Sequence, residues 1–146
     1  MADIDIPWAE LRDAATAARA RAYCPYSHYP VGAAGLVEDG RLVTGCNVEN
    51  ASYGLTLCAE CGLVSQLRLS GGGRLRAVVC VDGAGAAITP CGRCRQLLLE
   101  HSLSGMCVLT DRGPVPIEAL LPAAWDASEL RADAEADPAM DGGETR

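Results

Sequence analysis

Cys58-Ala59-Glu60 and, further along, Pro90-Cys91-Gly92-Arg93-Cys94 constrain this chain more than anything else in it. A fold that uses both blocks must bring two distant segments to one point, because three thiolates so arranged suit a single zinc ion. Zinc with three protein ligands keeps its fourth position for water, which then ionises near pH ~7 instead of ~16. Glu60, two residues from Cys58, sets a carboxylate where it can take that water's proton and pass it on.

Both blocks stand at the start of segments that read as helices, 58–69 and 91–101, with Leu63, Val64 and Leu67 in one and Leu97, Leu98 and Leu99 in the other. Helix N-termini present unpaired N–H groups and about half a positive charge, which stabilise thiolates. A second reading competes. Cys61 completes a Cys-x₂-Cys…Cys-x₂-Cys pattern that could close a Cys₄ site and leave no room for chemistry. Against it, the 29-residue gap between the pairs exceeds the ~15–20 typical of such ribbons, and a closed site has no use for Glu60.

The rest of the chain supplies a frame. Asp5 and Pro7 open a helix with Trp8, Leu11, Ala15, Ala18 and Ala22 on one face, ended by Cys24-Pro25. Segments 31–37 and 42–46 flank Asp39-Gly40 as a hairpin. Segment 47–56 is a loop, 75–81 a strand apolar on both faces, 82–89 a loop, 106–110 a strand and 117–121 a helical turn. The order α-β-β-α-β-α-β predicts an α/β fold with a mixed sheet. Residues 1–125 read as a single domain. The acidic tail 126–146, with seven acidic and two basic residues, reads as solvated and partly disordered.

Composition narrows the partners. The net charge of −7 leaves no basic surface for a nucleic-acid polymer. No apolar run approaches the ~18 residues of a membrane span, and the acidic start Met1-Ala2-Asp3 reads as no signal peptide. Eight cysteines then favour metal binding in the reducing cytoplasm over disulfides. Cys24, Cys46, Cys80 and Cys107 read as small buried hydrophobes, and His101 as a complement to the C-terminal dipole of its helix.

Four blocks together resemble the small homotetrameric cytidine deaminases: Tyr26-Ser27-x-Tyr29-x-Val31-Gly32-Ala33-Ala34, Gly45-Cys46-Asn47-Val48-Glu49-Asn50-Ala51-Ser52-Tyr53, Cys58-Ala59-Glu60 and Pro90-Cys91-Gly92-Arg93-Cys94-Arg95-Gln96. The resemblance implies a three-layer α-β-α fold with a mixed five-stranded sheet and helices on both faces. It implies hydrolysis of cytidine and 2′-deoxycytidine to uridine and 2′-deoxyuridine with release of ammonia, as in pyrimidine salvage, by zinc-activated hydroxide attacking C4. In that scheme Cys58, Cys91 and Cys94 hold Zn²⁺ and Glu60 moves the protons. The backbone at Ala59 and the Thr89 carbonyl hold the base, while Asn47 and Glu49 bind the ribose. Tyr29 stacks on the base, and Tyr53 and Trp125 complete a wall shared between subunits, stacking being worth ~1–3 kcal/mol per base.

One position departs from the family. The residue after the catalytic Glu is often an Arg that offsets the thiolate charge; here it is Cys61, so Arg93, Arg95 or the helix dipoles must supply that compensation. Two alternatives to a cytidine deaminase stay open at this point. One is a deaminase of a cytosine-bearing antibiotic such as blasticidin S. The other is a non-catalytic module with a Cys₄ structural zinc.

Overall fold

The computed structural model describes residues 5–130. Helix α1 (Trp8–Arg19) turns Leu11 and Ala15 fully inward. It ends earlier than its apolar face suggests, with Ala22 in a following turn whose N–H reaches the Arg19 carbonyl. Strands β1 (Gly32–Val37) and β2 (Leu42–Cys46) form the expected antiparallel hairpin, and Gly40 takes the positive φ of 92° that its turn requires.

A single 3₁₀ turn at Tyr53–Leu55 leads to α2 (Ala59–Leu69), followed by β3 (Leu75–Val81), β4 (Ala87–Ile88) and α3 (Gly92–Glu100). Then come β5 (Ser102–Thr110), β6 (Gly113–Pro116) and α4 (Ile117–Leu120). The strands lie in the order β2-β1-β3-β5-β6, with β4 paired to β3. β3 runs antiparallel to β1 and parallel to β5, so the sheet is mixed.

Both faces of that sheet are covered, which is why β1 is buried along its whole length. Ala34 and Leu36 meet Ala77, Val79 and Val81 of β3 beneath α1. Ala33 and Val37 point the other way, into a cluster with Leu63 and Leu67 of α2 and Leu98 of α3. These are the three layers implied above.

Two details differ from the sequence reading. Among the described residues the sheet has six strands, not five, because β4 adds a two-residue rung too short to leave a pattern. β6 was also unread: Pro114 and Pro116 argue against a strand, yet an edge strand tolerates proline because one row of its N–H groups needs no partner. Where the tail was expected, residues 127–130 are helical, and residues 131–146 lie outside the described part. His101 caps α3, and burial pushes its imidazole below the usual histidine range. That shift weakens the positive charge it can offer the helix dipole there.

Position 45 fixes where α2 begins. A Cβ on Gly45 would overlap the Ala59 carbonyl oxygen and the Leu63 nitrogen, so the first turn of α2 rests directly on β2. Gly45→Val should lower stability by about 1–3 kcal/mol through overpacking and shift the Cys58–Glu60 segment with it. Thermal unfolding and retained zinc, measured on one preparation, should both fall; a stable variant with full zinc would refute the contact's role.

Candidate active site

Cys58 is the N-cap of α2 and Cys91 the N-cap of α3, with Cys94 one turn into α3. Their three sulfur atoms lie within 4.8 Å of one another, and Cys58 Sγ is 3.9 Å from Cys91 Sγ. Tetrahedral zinc with Zn–S bonds of ~2.3 Å sets its sulfurs ~3.8 Å apart. The donor set, the spacing and the two helix ends therefore fit a zinc ion. Among the described residues no other group of side chains makes such a cluster.

Cys61 is outside it. Its sulfur accepts a hydrogen bond from Arg93 Nη2 at 3.1 Å. The geometry thus opposes the closed Cys₄ reading. It also separates the two arginines. Arg93 carries its positive charge to Cys61, Cys58 and Cys94, and those sulfurs raise its own pKa in return, the Cys61 hydrogen bond foremost. Arg95 instead donates to the Pro90 carbonyl at 2.8 Å and the Leu120 carbonyl at 3.0 Å, bracing the turn before Cys91.

The three thiols do not ionise alike. Burial opposes ionisation of Cys91, yet hydrogen bonding from the Cys94 backbone and from the Cys94 and Cys58 thiols brings it below the ordinary thiol value. Burial raises Cys58, and burial followed by the charges of Glu60 and Cys58 raises Cys94 strongly. One thiolate is welcome at this point and further ones repel, an imbalance that a divalent cation at the centre removes.

Glu60 occupies the first turn of α2 and is only 4% exposed. It lines a cavity of about 210 Å³ together with Cys58, Cys91, Ala59, Asn47, Thr89, Val31, Thr56 and Ile88. Six positions singled out from sequence thus face one space. Asn47 is buried, its Oδ1 accepting from Val31 N at 2.8 Å and its Nδ2 donating to the Tyr29 carbonyl at 2.9 Å. An amide has two donors and two lone pairs, so one of each remains.

Glu49 and Tyr53 lie in an adjoining groove with Tyr26 and Ser27, joined to the cavity at Thr56. The Glu49 carboxylate is held by Ser27, from N–H at 3.3 Å to each oxygen and from Oγ at 3.0 Å to Oε1. Tyr53 meets Tyr26 edge-on with ring centroids 6.1 Å apart. Tyr29 is exposed and lines neither space, although its carbonyl anchors Asn47. Trp125 is not brought to this site at all: it is 52% exposed and lines a separate cavity with Arg74 and Gln96, whose Nε2 donates to the Trp125 carbonyl at 2.8 Å.

Sequence reasoning missed Cys80. It is a fully buried β3 residue, as expected, but its thiol donates to Glu60 Oε1 at 3.3 Å. Only its place six residues into an apolar strand was visible beforehand, and nothing in that pattern points to Glu60.

Three sulfurs around one metal position, with a buried carboxylate beside them at the helix ends of a layered α/β sheet, define a zinc-dependent hydrolase. Residues 9–110 match the family model described as the cytidine and deoxycytidylate deaminase zinc-binding region, and the chain belongs to that family. It is 56% identical over 126 residues to the cytidine deaminase of Mycobacterium tuberculosis, covering 86% of this chain and 95% of that one. The crystal structure of cytidine deaminase from Mycobacterium tuberculosis superposes with a TM-score of 0.81 at 57% identity, over 84% of this chain and 99% of that one. Cytidine deaminase from Mycobacterium leprae gives a TM-score of 0.79 at 58% identity, over 81% and 99% of the two chains.

Metal analysis separates the sulfurs. Cys58→Ala, Cys91→Ala and Cys94→Ala should each lose zinc, whereas Cys61→Ala should keep one ion per chain. Arg93→Gln should release zinc to a chelator faster than wild type, and Arg95→Gln should do so only where Tm also falls. Zinc lost on replacing Cys61 alone would restore the four-sulfur site.

Proposed function

We propose that the chain hydrolyses cytidine and 2′-deoxycytidine to the uracil nucleosides and ammonia, in the cytoplasm, through a single catalytic domain over residues 1–125. The observation that carries this reading is the one cavity shared by Glu60, Cys58, Cys91, Asn47 and Thr89. At about 210 Å³ it is smaller than the ~300 Å³ at which pockets for drug-sized ligands begin. It suits one small ring, with a sugar extending past Thr56 towards Glu49.

Cys58, Cys91 and Cys94 hold the zinc, which when bound supplies Lewis-acid activation of the hydrolytic water near neutral pH. Glu60 accepts a proton from that water and delivers it to N3 of the pyrimidine as the new C4–O bond forms. It then carries the proton of the new C4 hydroxyl to the amino nitrogen, the C4–N bond breaks, and ammonia leaves a C4 carbonyl behind. The Thr89 carbonyl accepts from the 4-amino group and the backbone at Ala59 holds the ring in place. The spare donor and acceptor of Asn47, with the Glu49 carboxylate already oriented by Ser27, serve the ribose hydroxyls.

The active assembly in this proposal is a homotetramer whose sites are completed across subunits. Tyr23, Tyr26, Tyr29, Val48, Tyr53, Leu55 and Leu57 are all exposed on neighbouring segments, Tyr53 by 77%. Isolated bridges tie Tyr23 to Val48 and Val48 to Leu57. An apolar patch of that kind beside a site suits burial against another copy. Tyr29, Tyr53 and Trp125 would then meet substrate from within that interface.

Turnover of cytidine beside blasticidin S, followed by loss of cytosine absorbance, tests the substrate. Activity on the antibiotic alone would replace the nucleoside reading, and an inert wild type would reject catalysis. Glu60→Gln should keep zinc and fold while kcat falls about 10²- to 10⁴-fold. Trp125→Ala chains mixed with Glu60→Gln chains should recover activity that neither has alone; no recovery would sink the shared site.

A further inference from the structure

Glu60 is a buried carboxylate that must present one face to substrate and to the hydrolytic water in the proposed reaction. A carboxylate on two side-chain torsions past its first has several ways to miss that alignment, and misplacement by ~1 Å can cost 10²-fold in rate. Among the described residues, the one hydrogen bond made to its side chain comes from Cys80, whose Sγ lies 3.3 Å from Oε1. We infer that Cys80 is a positioning residue for Glu60, fixing Oε1 against the sheet so that Oε2 faces the cavity.

The geometry suits that task. Cys80 pairs with Ala33 of β1 on one side and with Ile88 of β4 on the other, so its backbone is held from both edges. Its side chain points to the sheet face that carries α2 and is fully buried. Ile88 itself lines the cavity and precedes Thr89, so the short β4 rung links Cys80 to the residue proposed to receive the amino group. A thiol is a weak donor. It can orient the carboxylate without competing strongly for the proton that Glu60 has to relay. Burial, then the charge of Glu60, keep the thiol protonated and therefore a donor.

This inference rests on reading Glu60 as the proton carrier, and the test separates the two. Cys80→Ser keeps a donor, Cys80→Ala removes it, and Cys80→Val removes it while filling the space. Zinc content should stay at one ion per chain in all three. Ala and Val should lower kcat about tenfold, the size of one lost hydrogen bond, with KM little changed, while Ser should retain most of the rate. Crystal structures should show the Glu60 carboxylate rotated in Ala and Val and unmoved in Ser. Should Ala fail to fold, Val against Ser makes the same comparison. Full kcat without the donor, equal loss in Ser and Val, or an unmoved Glu60 in both donorless variants would each overturn the assignment. If wild type does not turn over cytidine but Glu60 still rotates only in the donorless variants, the functional reading falls and the positioning role stands.

Discussion

Position 45 carries no side chain, and the first turn of α2 occupies the space that one would fill. That contact sets the helix's starting point against a strand that cannot shift, since β2 is tied to β1 and β1 to β3. Cys58, Ala59 and Glu60 are the residues of that turn, so a backbone contact becomes a placement of chemistry. On the other side, Arg95 braces the Pro90 carbonyl and delivers Cys91 to meet Cys58. Side chains held this way have lost their freedom during folding and need lose little more when zinc or substrate arrives.

Gathering three sulfurs and a carboxylate in so small a volume is electrostatically unfavourable by itself. The opposite directions of the Cys91 and Cys94 shifts express it: one negative charge is accommodated and the next resisted. Helix N-termini, the Arg93 guanidinium and a divalent cation all act on the same imbalance. Here the arginine comes from α3, touches Cys61 in the first turn of α2, and brings positive charge near Cys58 and Cys94.

Around the metal position, several residues have a structural duty as well as a proposed chemical one. Asn47 ties its loop to Tyr29 and Val31, and Glu49 ties the same region to Ser27. Those bonds fix both side chains and leave one donor and one acceptor of the Asn47 amide unused. The aromatic residues behave differently. Tyr53 and Trp125 are exposed on separate parts of the surface, so their proposed meeting depends on another copy of the chain.

The sequence by itself determined the elements whose signal is local. Asp39-Gly40 marked its hairpin, and the apolar run at 75–81 marked a strand buried on both faces. The motif spacing singled out the two cysteine pairs and Glu60 as candidates, because ligand geometry restricts which residues can share one ion. β6 was hidden by its prolines, and β4 by its brevity. Only the tertiary structure decided that Cys61 stands outside the sulfur cluster, that Arg93 and not Arg95 faces it, and that Cys80 reaches Glu60 from β3. The Cys80–Glu60 and Arg93–Cys61 contacts join residues 20 and 32 positions apart in the chain. No local pattern records them, because helix packing sets which side chains meet, to within an ångström, and packing is a property of the whole core.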